Sequence, residues 1–557
     1  MFIITSLIII CLFSFNLFNP IFKSKEIIIT YGFNKFNIVT EYPKIWYYLK
    51  ITFIITFIFS NLIYLNFLYN KILKVFFKRR IRKEKFLIKS DRLNLLIGND
   101  EKTGKNIYIQ ETGLYQNFLI TGTIGTGKTS SAMYPFTEQI IKFNSTNPNK
   151  KIGTLILDVK GNYYKKVKDY TEKYNLQDDL IVIEIGGKYK YNPLHKPNLK
   201  PTILANRLKQ ILELFSENNS ESYWLDEAEK VLTEAIKLCR IYNKGYVTFE
   251  EIHRIVTEEK YYNEKIKIIK NLFINNKMSK NQIYDLNSAL NFFQKEYEKL
   301  DQRTLAILKS EITRITNIFI SDYDINRIFC AQKNELNFKG FEEVIKKGKI
   351  VVLNMNIAEY RNLSKIIATY LKLDFQTEIM MNLAKNQKRT TAFICDEYAE
   401  YVTKTDSEFF SLSREAKCIN IVSTQSYSSL KNTLKDETVV KVICQNLINK
   451  IWFRTDDIFT IEETQKQLGK EDKIKTSKNI SENSKKTIYS RMTNSMSSLD
   501  STISESFNLY TQNDYIYDTN FFTQKLQNFT ALAFLSDGSK IIKPKKLKMF
   551  PYFLNNK

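Results

Sequence analysis

Histidine is nearly missing from this 557-residue chain: His195 and His253 are the two. That scarcity excludes a zinc-protease motif and leaves no spare candidates for a Ser-His-Asp triad. Glycine (16) and proline (9) are too few for collagen-like or elastic sequences. The six cysteines show no C-x-x-C spacing. Cys11 lies in an apolar run, and Cys239, Cys330, Cys395, Cys418 and Cys444 are scattered, which reads as free thiols of a reducing compartment. Acidic residues are outnumbered, 59 against 83 Lys and Arg, for a net charge of +24. Such a surplus favours anionic partners, nucleic acid or an acidic membrane surface, and does not bear on fold. Hydrophobic residues at 43% and charged residues at 25% exclude wholesale disorder. The length allows three or four units.

The first ninety residues differ from the rest. Phe2 to Phe22 carry no charge, and neither do Ile51 to Tyr69, which Trp46, Tyr47 and Tyr48 precede. About 20 apolar residues span a bilayer core, and aromatic residues favour its interfaces. A cleaved signal peptide fits less well, because a positive leading region and a small-residue cleavage site are lacking. The expectation is a multi-pass cell-membrane protein with two helices, about 2–22 and 46–69. Lys71, Lys74, Lys78, Arg79, Arg80, Arg82, Lys83 and Lys85 follow as a basic juxtamembrane segment, which predicts a cytoplasmic N-terminus and a cytoplasmic C-terminal part.

Further on, apolar strands alternate with helical stretches. Tyr115–Thr121 reads as a buried strand, and Gly122-Thr-Ile-Gly-Thr-Gly127-Lys128-Thr129 fits G-x-x-x-x-G-K-[ST] without a mismatch before a helical stretch. Glycines let the backbone curl so that its N–H groups face phosphates, and the helix N-terminus adds its positive end. The nucleotide-binding candidates are Gly122, Thr123, Ile124, Gly125, Thr126, Gly127, Lys128, Thr129 and Ser130. Lys128 is placed for the β/γ-phosphates and Thr129 for Mg²⁺. The apolar run Arg389–Cys395 ends in Asp396 and Glu397, a metal carboxylate and a candidate base for the attacking water. A third strand, Cys418–Thr424, leads to Gln425, a candidate γ-phosphate sensor. Arg414, eleven residues earlier, is a candidate arginine finger acting across a subunit boundary, with a solvated helix-end arginine as the alternative. ATP and Mg²⁺ are the expected cofactors.

Taken together, these motifs give a chain that resembles the coupling proteins of type IV secretion and conjugation, the TraG/TraD type. Leu157-Asp-Val-Lys-Gly161 resembles a strand-end element of that family, Tyr191-Asn-Pro-Leu194 its Asn-Pro-Leu element, and Tyr223-Trp-Leu-Asp-Glu-Ala228 the start of its all-α domain. Trp224, Ala228, Val231, Leu232 and Ala235 also read as one helix core face. A long acidic C-terminal tail, used by some relatives, is missing, and the C-terminus ends near IIKPKKLKMFPYF. The resemblance implies an α/β fold: a RecA-like P-loop ATPase core with a mainly parallel sheet, an inserted all-α domain and two N-terminal transmembrane helices. The expected boundaries are 1–90 for the anchor, 91–200 and 336–557 for the core, and 201–335 for the insertion. A flexible Ser/Asn-rich loop is expected at about 473–505, with a DNA-contact loop as the second reading. The implied function is ATP-driven delivery of relaxase-bound single-stranded DNA to a conjugative channel. Its implied partners are the relaxase nucleoprotein, channel components, the membrane and a homo-hexamer of the chain itself. An FtsK-type duplex translocase and a receptor for secreted proteins stay open as alternatives.

Overall fold

A computed structural model describes residues 23, 25–31, 34–68, 92–214, 222–275, 277–355, 357–383, 389–483, 488–490, 495–497 and 502–554. The chain divides into two units, Met1–Asp91 and Arg92–Lys557. In the first, strands Ile28–Tyr31 and Asn34–Asn37 pair antiparallel. Asn37 then caps the turn Ile38–Glu41 by accepting from the Val39 N–H at 3.2 Å, and helix Pro43–Leu68 follows.

The expected membrane localisation is overturned here. The first proposed span and the basic juxtamembrane run lie outside the described residues. The second falls on helix Pro43–Leu68, which carries Lys44 and Lys50 among its first eight residues. Among the described residues no helix is long and apolar enough to cross a membrane.

The second unit is built on one eleven-stranded sheet. In chain order its strands are β1 (Asn94–Asp100), β2 (Asn106–Gln110), β3 (Phe118–Thr121), β4 (Gly153–Leu157), β5 (Leu180–Ile183) and β6 (Ile350–Leu353). Then come β7 (Thr391–Cys395), β8 (Cys418–Thr424), β9 (Asn449–Trp452), β10 (Thr530–Ser536) and β11 (Ile541–Lys548). Across the sheet they run β2-β1-β11-β10-β9-β3-β8-β7-β4-β6-β5. From β9 to β5 every pairing is parallel; β10, β11, β1 and β2 add an antiparallel edge. The sheet is therefore mixed and mostly parallel.

Parallel strands require crossovers, which put helices on both faces and make the strands apolar throughout. The side chains alternate accordingly. Phe118, Ile120, Ile156 and Ile394 pack on one face against helices Tyr134–Lys142 and Tyr163–Lys173. Leu119, Leu155, Leu157 and Phe393 face the other core, shared with the helices that separate β5 from β6. Those helices begin with Pro201–Glu213 and Ser222–Tyr242 and end with Phe341–Lys347. On the second of them Ala228, Val231, Leu232 and Ala235 are fully buried and Trp224 packs beside them, as the heptad-like spacing predicts.

Helix Ile357–Leu383 is held by buried charge on two sides. Lys372 pairs with Asp406 at 2.6 Å, both side chains completely buried. Two residues on, Asp374 pairs with Lys196 at 2.7 Å and with Arg207 of helix Pro201–Glu213 at 2.9 Å.

The loop expected near 473–505 takes a different form. Strands Lys470–Asn483 and Thr502–Tyr515 pair antiparallel along their whole length, and short strands Ile488–Ser490 and Ser495–Ser497 pair beyond them. The composition hid a period-2 pattern: Ile474, Ile480, Phe507 and Leu509 fall on one face of the ribbon, all exposed. Cross-strand ion pairs Lys475–Asp514 at 2.9 Å and Lys478–Glu505 at 2.8 Å reinforce the pairing.

Candidate functional site

The parallel strands end together, so residues distant in sequence meet at their C-terminal edge. Thr121 of β3 lies opposite Thr424 of β8 and Trp452 of β9, while Cys395 of β7 lies opposite Leu157 of β4 and Val422 of β8. The residues just beyond these strand ends form the site.

After β3 the chain turns through Gly122–Lys128 into the helical turn Thr129–Met133, which continues into helix Tyr134–Lys142. Gly122 (φ 153°), Gly125 (φ 79°) and Gly127 (φ 103°) take conformations that side chains resist. Space reinforces the choice: a Cβ on Gly127 would lie 2.5 Å from Phe529 Cδ1, and one on Gly122 would lie 2.6 Å from Phe453 Cβ. Neighbouring strands hold the loop's shape. The Gly122 N–H donates to the Gln425 carbonyl at 3.2 Å, and the Thr123 N–H to the Arg454 carbonyl at 2.9 Å. The loop itself holds Lys128. Its Nζ donates to the Gly122 carbonyl and, at 3.2 Å, to that of Thr123. Burial pushes its amine below the ordinary lysine value, against the pull of Glu397 and Asp396. Ser130 Oγ donates to the Gly127 carbonyl at 3.4 Å, and Ile124 is exposed at the loop's tip.

Asp396, directly after β7, faces the loop. Thr129 Oγ1 donates to its Oδ2 at 2.7 Å, Ser423 donates to Oδ1, and the Glu397 N–H reaches Oδ1 at 3.1 Å. Glu397 sits in the left-handed region (φ 51°), a strain that recurs at functional turns. Its carboxylate lies 3.7 Å from Lys160 Nζ. Burial, and then the Asp396 charge, raise the Glu397 carboxyl above the ordinary value, with Lys128, Lys160 and Gln425 opposing. Asp158 completes the acidic edge after β4, fixed by the N–H groups of Lys160, Asn162 and Tyr163 at 3.0–3.2 Å. Burial and the Asp396 charge push its carboxyl up as well.

The donor set suits a phosphate-bound cation better than a metal cage. Among the described residues no group of three or more His, Cys, Asp and Glu side chains could hold a metal ion. One hydroxyl and one carboxylate, Thr129 and Asp396, suit a Mg²⁺ that takes its other ligands from water and phosphate.

The fold thus brings together the loop residues, Asp396, Glu397 and Gln425. Arg414 is elsewhere. It is exposed in the turn entering β8, at the N-terminal edge of the sheet, and seven strand residues, about 23 Å, separate it from Gln425. Sequence reasoning missed Ser423, which is one more polar residue in an apolar strand until the register sets it opposite Asp396. It gave no role to Lys160. Phe529, whose N–H donates to the Thr126 carbonyl at 3.0 Å, carried no local signal, since it comes from about 400 residues away.

Residues 390–506, which include Asp396, Glu397, Arg414 and Gln425, match the family described as the TraM recognition site of TraD and TraG. No curated protein matches the chain in sequence. A solved structure of the bacterial conjugative coupling protein TrwBdeltaN70, in an unbound monoclinic form, superimposes with a TM-score of 0.52 at 11% identity, covering 82% of this chain and 88% of that one. The plasmid coupling protein TrwB with the non-hydrolysable GTP analogue GDPNP gives 0.51 at 12%, covering 79% and 87%. TrwB with ADP and Mg²⁺ gives 0.50 at 12%, covering 79% and 86%. These likenesses establish a shared fold. The chain thus resembles the TraG/TraD family over residues 390–506 and shares the fold of the TrwB structures.

Proposed function

We propose that this chain is a nucleoside-triphosphate-hydrolysing coupling protein that drives single-stranded DNA, delivered with its relaxase, into a conjugative secretion channel. The observation that carries the proposal is the 2.7 Å contact between Thr129 and Asp396, with Glu397 adjacent. It joins a phosphate-binding loop to a strand-end acid pair, the combination that hydrolysis needs and simple binding does not. TrwB has been solved with ADPNP and with ADP and Mg²⁺, which supports ATP and Mg²⁺ as the ligands here.

In this mechanism Lys128 exchanges the carbonyls of Gly122 and Thr123 for phosphate oxygens, a charge-assisted contact that the neutral loop cannot match. Thr129 and Asp396 would hold Mg²⁺, which would supply neutralising charge to the phosphates. Ser423 orients Asp396. Glu397, its carboxyl raised by burial, accepts a proton from the attacking water. Gln425 is bonded to the loop through its carbonyl, and its side chain favours the charged form of Glu397, so it links phosphate occupancy to the base. Arg414, remote from its own loop, acts on a neighbouring subunit's nucleotide, which implies a ring and, by resemblance, a hexamer. Residues 91–200 and 336–557 form the motor core and 201–335 an inserted α domain. The net charge of +24 suits the sequence-independent grip on phosphates that moving a strand requires. The description of the matched segment adds a TraM-like protein as a partner.

The test is ATP turnover by the full chain with single-stranded DNA, with duplex DNA and with none. Single strands should stimulate turnover most. Equal rates in all three, or stimulation by duplex alone, would refute the DNA assignment.

A further inference from the structure

The C-terminal end of the chain forms an aromatic surface beside the phosphate loop, and phosphate binding and hydrolysis leave it without a task. The Phe529 ring covers Gly127, where a Cβ would lie 2.5 Å from it. Phe529 is a bulky residue at φ 61°, a conformation that needs outside support. Two backbone hydrogen bonds give that support: its N–H donates to Thr126 in the loop at 3.0 Å, and its carbonyl accepts from Met549 at 2.8 Å. The loop and the last strand thus clamp the ring in place. Next to it lies the turn Tyr552–Leu554. The Phe553 ring meets the Phe529 ring edge-on at 5.8 Å and is 45% exposed. The Tyr552 ring packs edge-on against Tyr134 at 5.3 Å, on the helix that leaves the loop, and Lys166 Nζ lies 4.9 Å over it.

A nucleotide with its phosphates in the loop must send its sugar and base outward past the loop and the first helical turns. There the protein presents a rigid aromatic ring, Phe529, and a second that is nearly half exposed, Phe553. We infer that the nucleobase stacks on the Phe553 ring, which Phe529 braces edge-on. The inference rests on the loop being a nucleotide site and adds which side chains hold the base. Flat, apolar rings recognise the π-face of a base rather than its hydrogen-bonding edge. Tyr552 is a positioning residue, tying the turn to the loop's own helix.

The test is equilibrium binding of Mg²⁺-ATP and of Mg²⁺-tripolyphosphate, which lacks sugar and base, to the full-length protein. Phe553→Ala alters a half-exposed ring, so the fold should survive; Phe553→Trp keeps a stacking surface. Phe553→Ala should weaken ATP about tenfold, the scale of one base–aromatic stack, and leave tripolyphosphate unchanged. Phe553→Trp should retain ATP affinity, and Lys128→Ala should weaken both ligands. Loss of both ligands in Phe553→Ala would make the ring a support for the loop and overturn the platform. An unchanged ATP affinity in that variant would overturn it too. If Lys128→Ala weakened neither ligand, the nucleotide reading itself would fail and the platform with it.

Discussion

Asp374→Asn tests whether the buried charge on helix Ile357–Leu383 holds the unit together. The Asp374 side chain is fully buried and is the carboxylate shared by Lys196 and Arg207, whose side chains are 7% and 3% exposed. Asparagine keeps the volume and leaves two cations facing each other out of water. Removing one partner of a buried ion pair costs about 3–5 kcal/mol. At about 2.1 cal/mol/K of unfolding entropy per residue, a unit of about 470 residues melting as one has an entropy near 1 kcal/mol/K. The variant should therefore melt about 3–5 °C below the parent. The effect has a defined pH window. Burial works against the charge of Asp374, but Lys196 and Arg207 outweigh it, so its folded carboxyl lies below the unfolded value of about 3.9. Stability from a depressed carboxyl is complete above the unfolded value and is lost as pH falls through the folded one. The melting difference should thus be flat from pH 8 to pH 5 and shrink only in stronger acid. Scanning calorimetry of both proteins across that range decides it. A variant that melts within about 1 °C of the parent at pH 7, or a gap that closes already near neutrality, would refute the reasoning.

Two further outcomes concern the site. Glu397→Gln should bind ATP and lose turnover; in the parent, turnover should fall on acidification with a midpoint above the usual glutamate range, because burial and Asp396 raise that carboxyl, and a kcat–pH profile checks both. Arg414→Ala should bind ATP nearly normally and hydrolyse it slowly, and mixing it with Lys128→Ala should restore activity at interfaces that pair an intact loop with an intact finger. A finger contributes about 10³-fold or more, so mixed rings, verified by crosslinking, that recover nothing would remove Arg414 from that role.

The phosphate loop was legible because its chemistry is contiguous: Gly122 to Thr129 must follow one another to curl around one anion. Asp396 and Glu397 were legible because two acids ending an apolar strand, downstream of such a loop, suit metal binding and water activation together. Ser423 was not, since its meaning depends on a register between β7 and β8 that no local pattern states. Lys372 and Asp374 lie inside a helix whose sequence gives no hint that one side chain meets Asp406 and the other Arg207. The ribbon misled through its polar composition. Between Lys470 and Tyr515 the residues are those of a loop, and the alternation that makes two strands emerges only when Ile474, Phe507 and Leu509 are seen on one face. The apolar run before Tyr69 predicted a membrane span by composition alone, whereas among the described residues no helix has the length and apolarity required.

The sheet's antiparallel edge sets an order of events during synthesis. β1 and β2 join the remaining strands only through β11, with Asp100 opposite Leu547 and Asn99 opposite Lys548. About 450 residues separate those partners. At roughly 5–20 residues per second, the first two strands wait some 20–90 s on the ribosome for the strand that completes them. During that interval their edges are exposed to other chains, and Phe529, which buttresses the phosphate loop, has not yet been made. A nascent chain arrested before residue 529 therefore has the entire G-x-x-x-x-G-K-[ST] sequence without the neighbour that shapes it, so the loop gains its final surroundings about 400 residues after it is made.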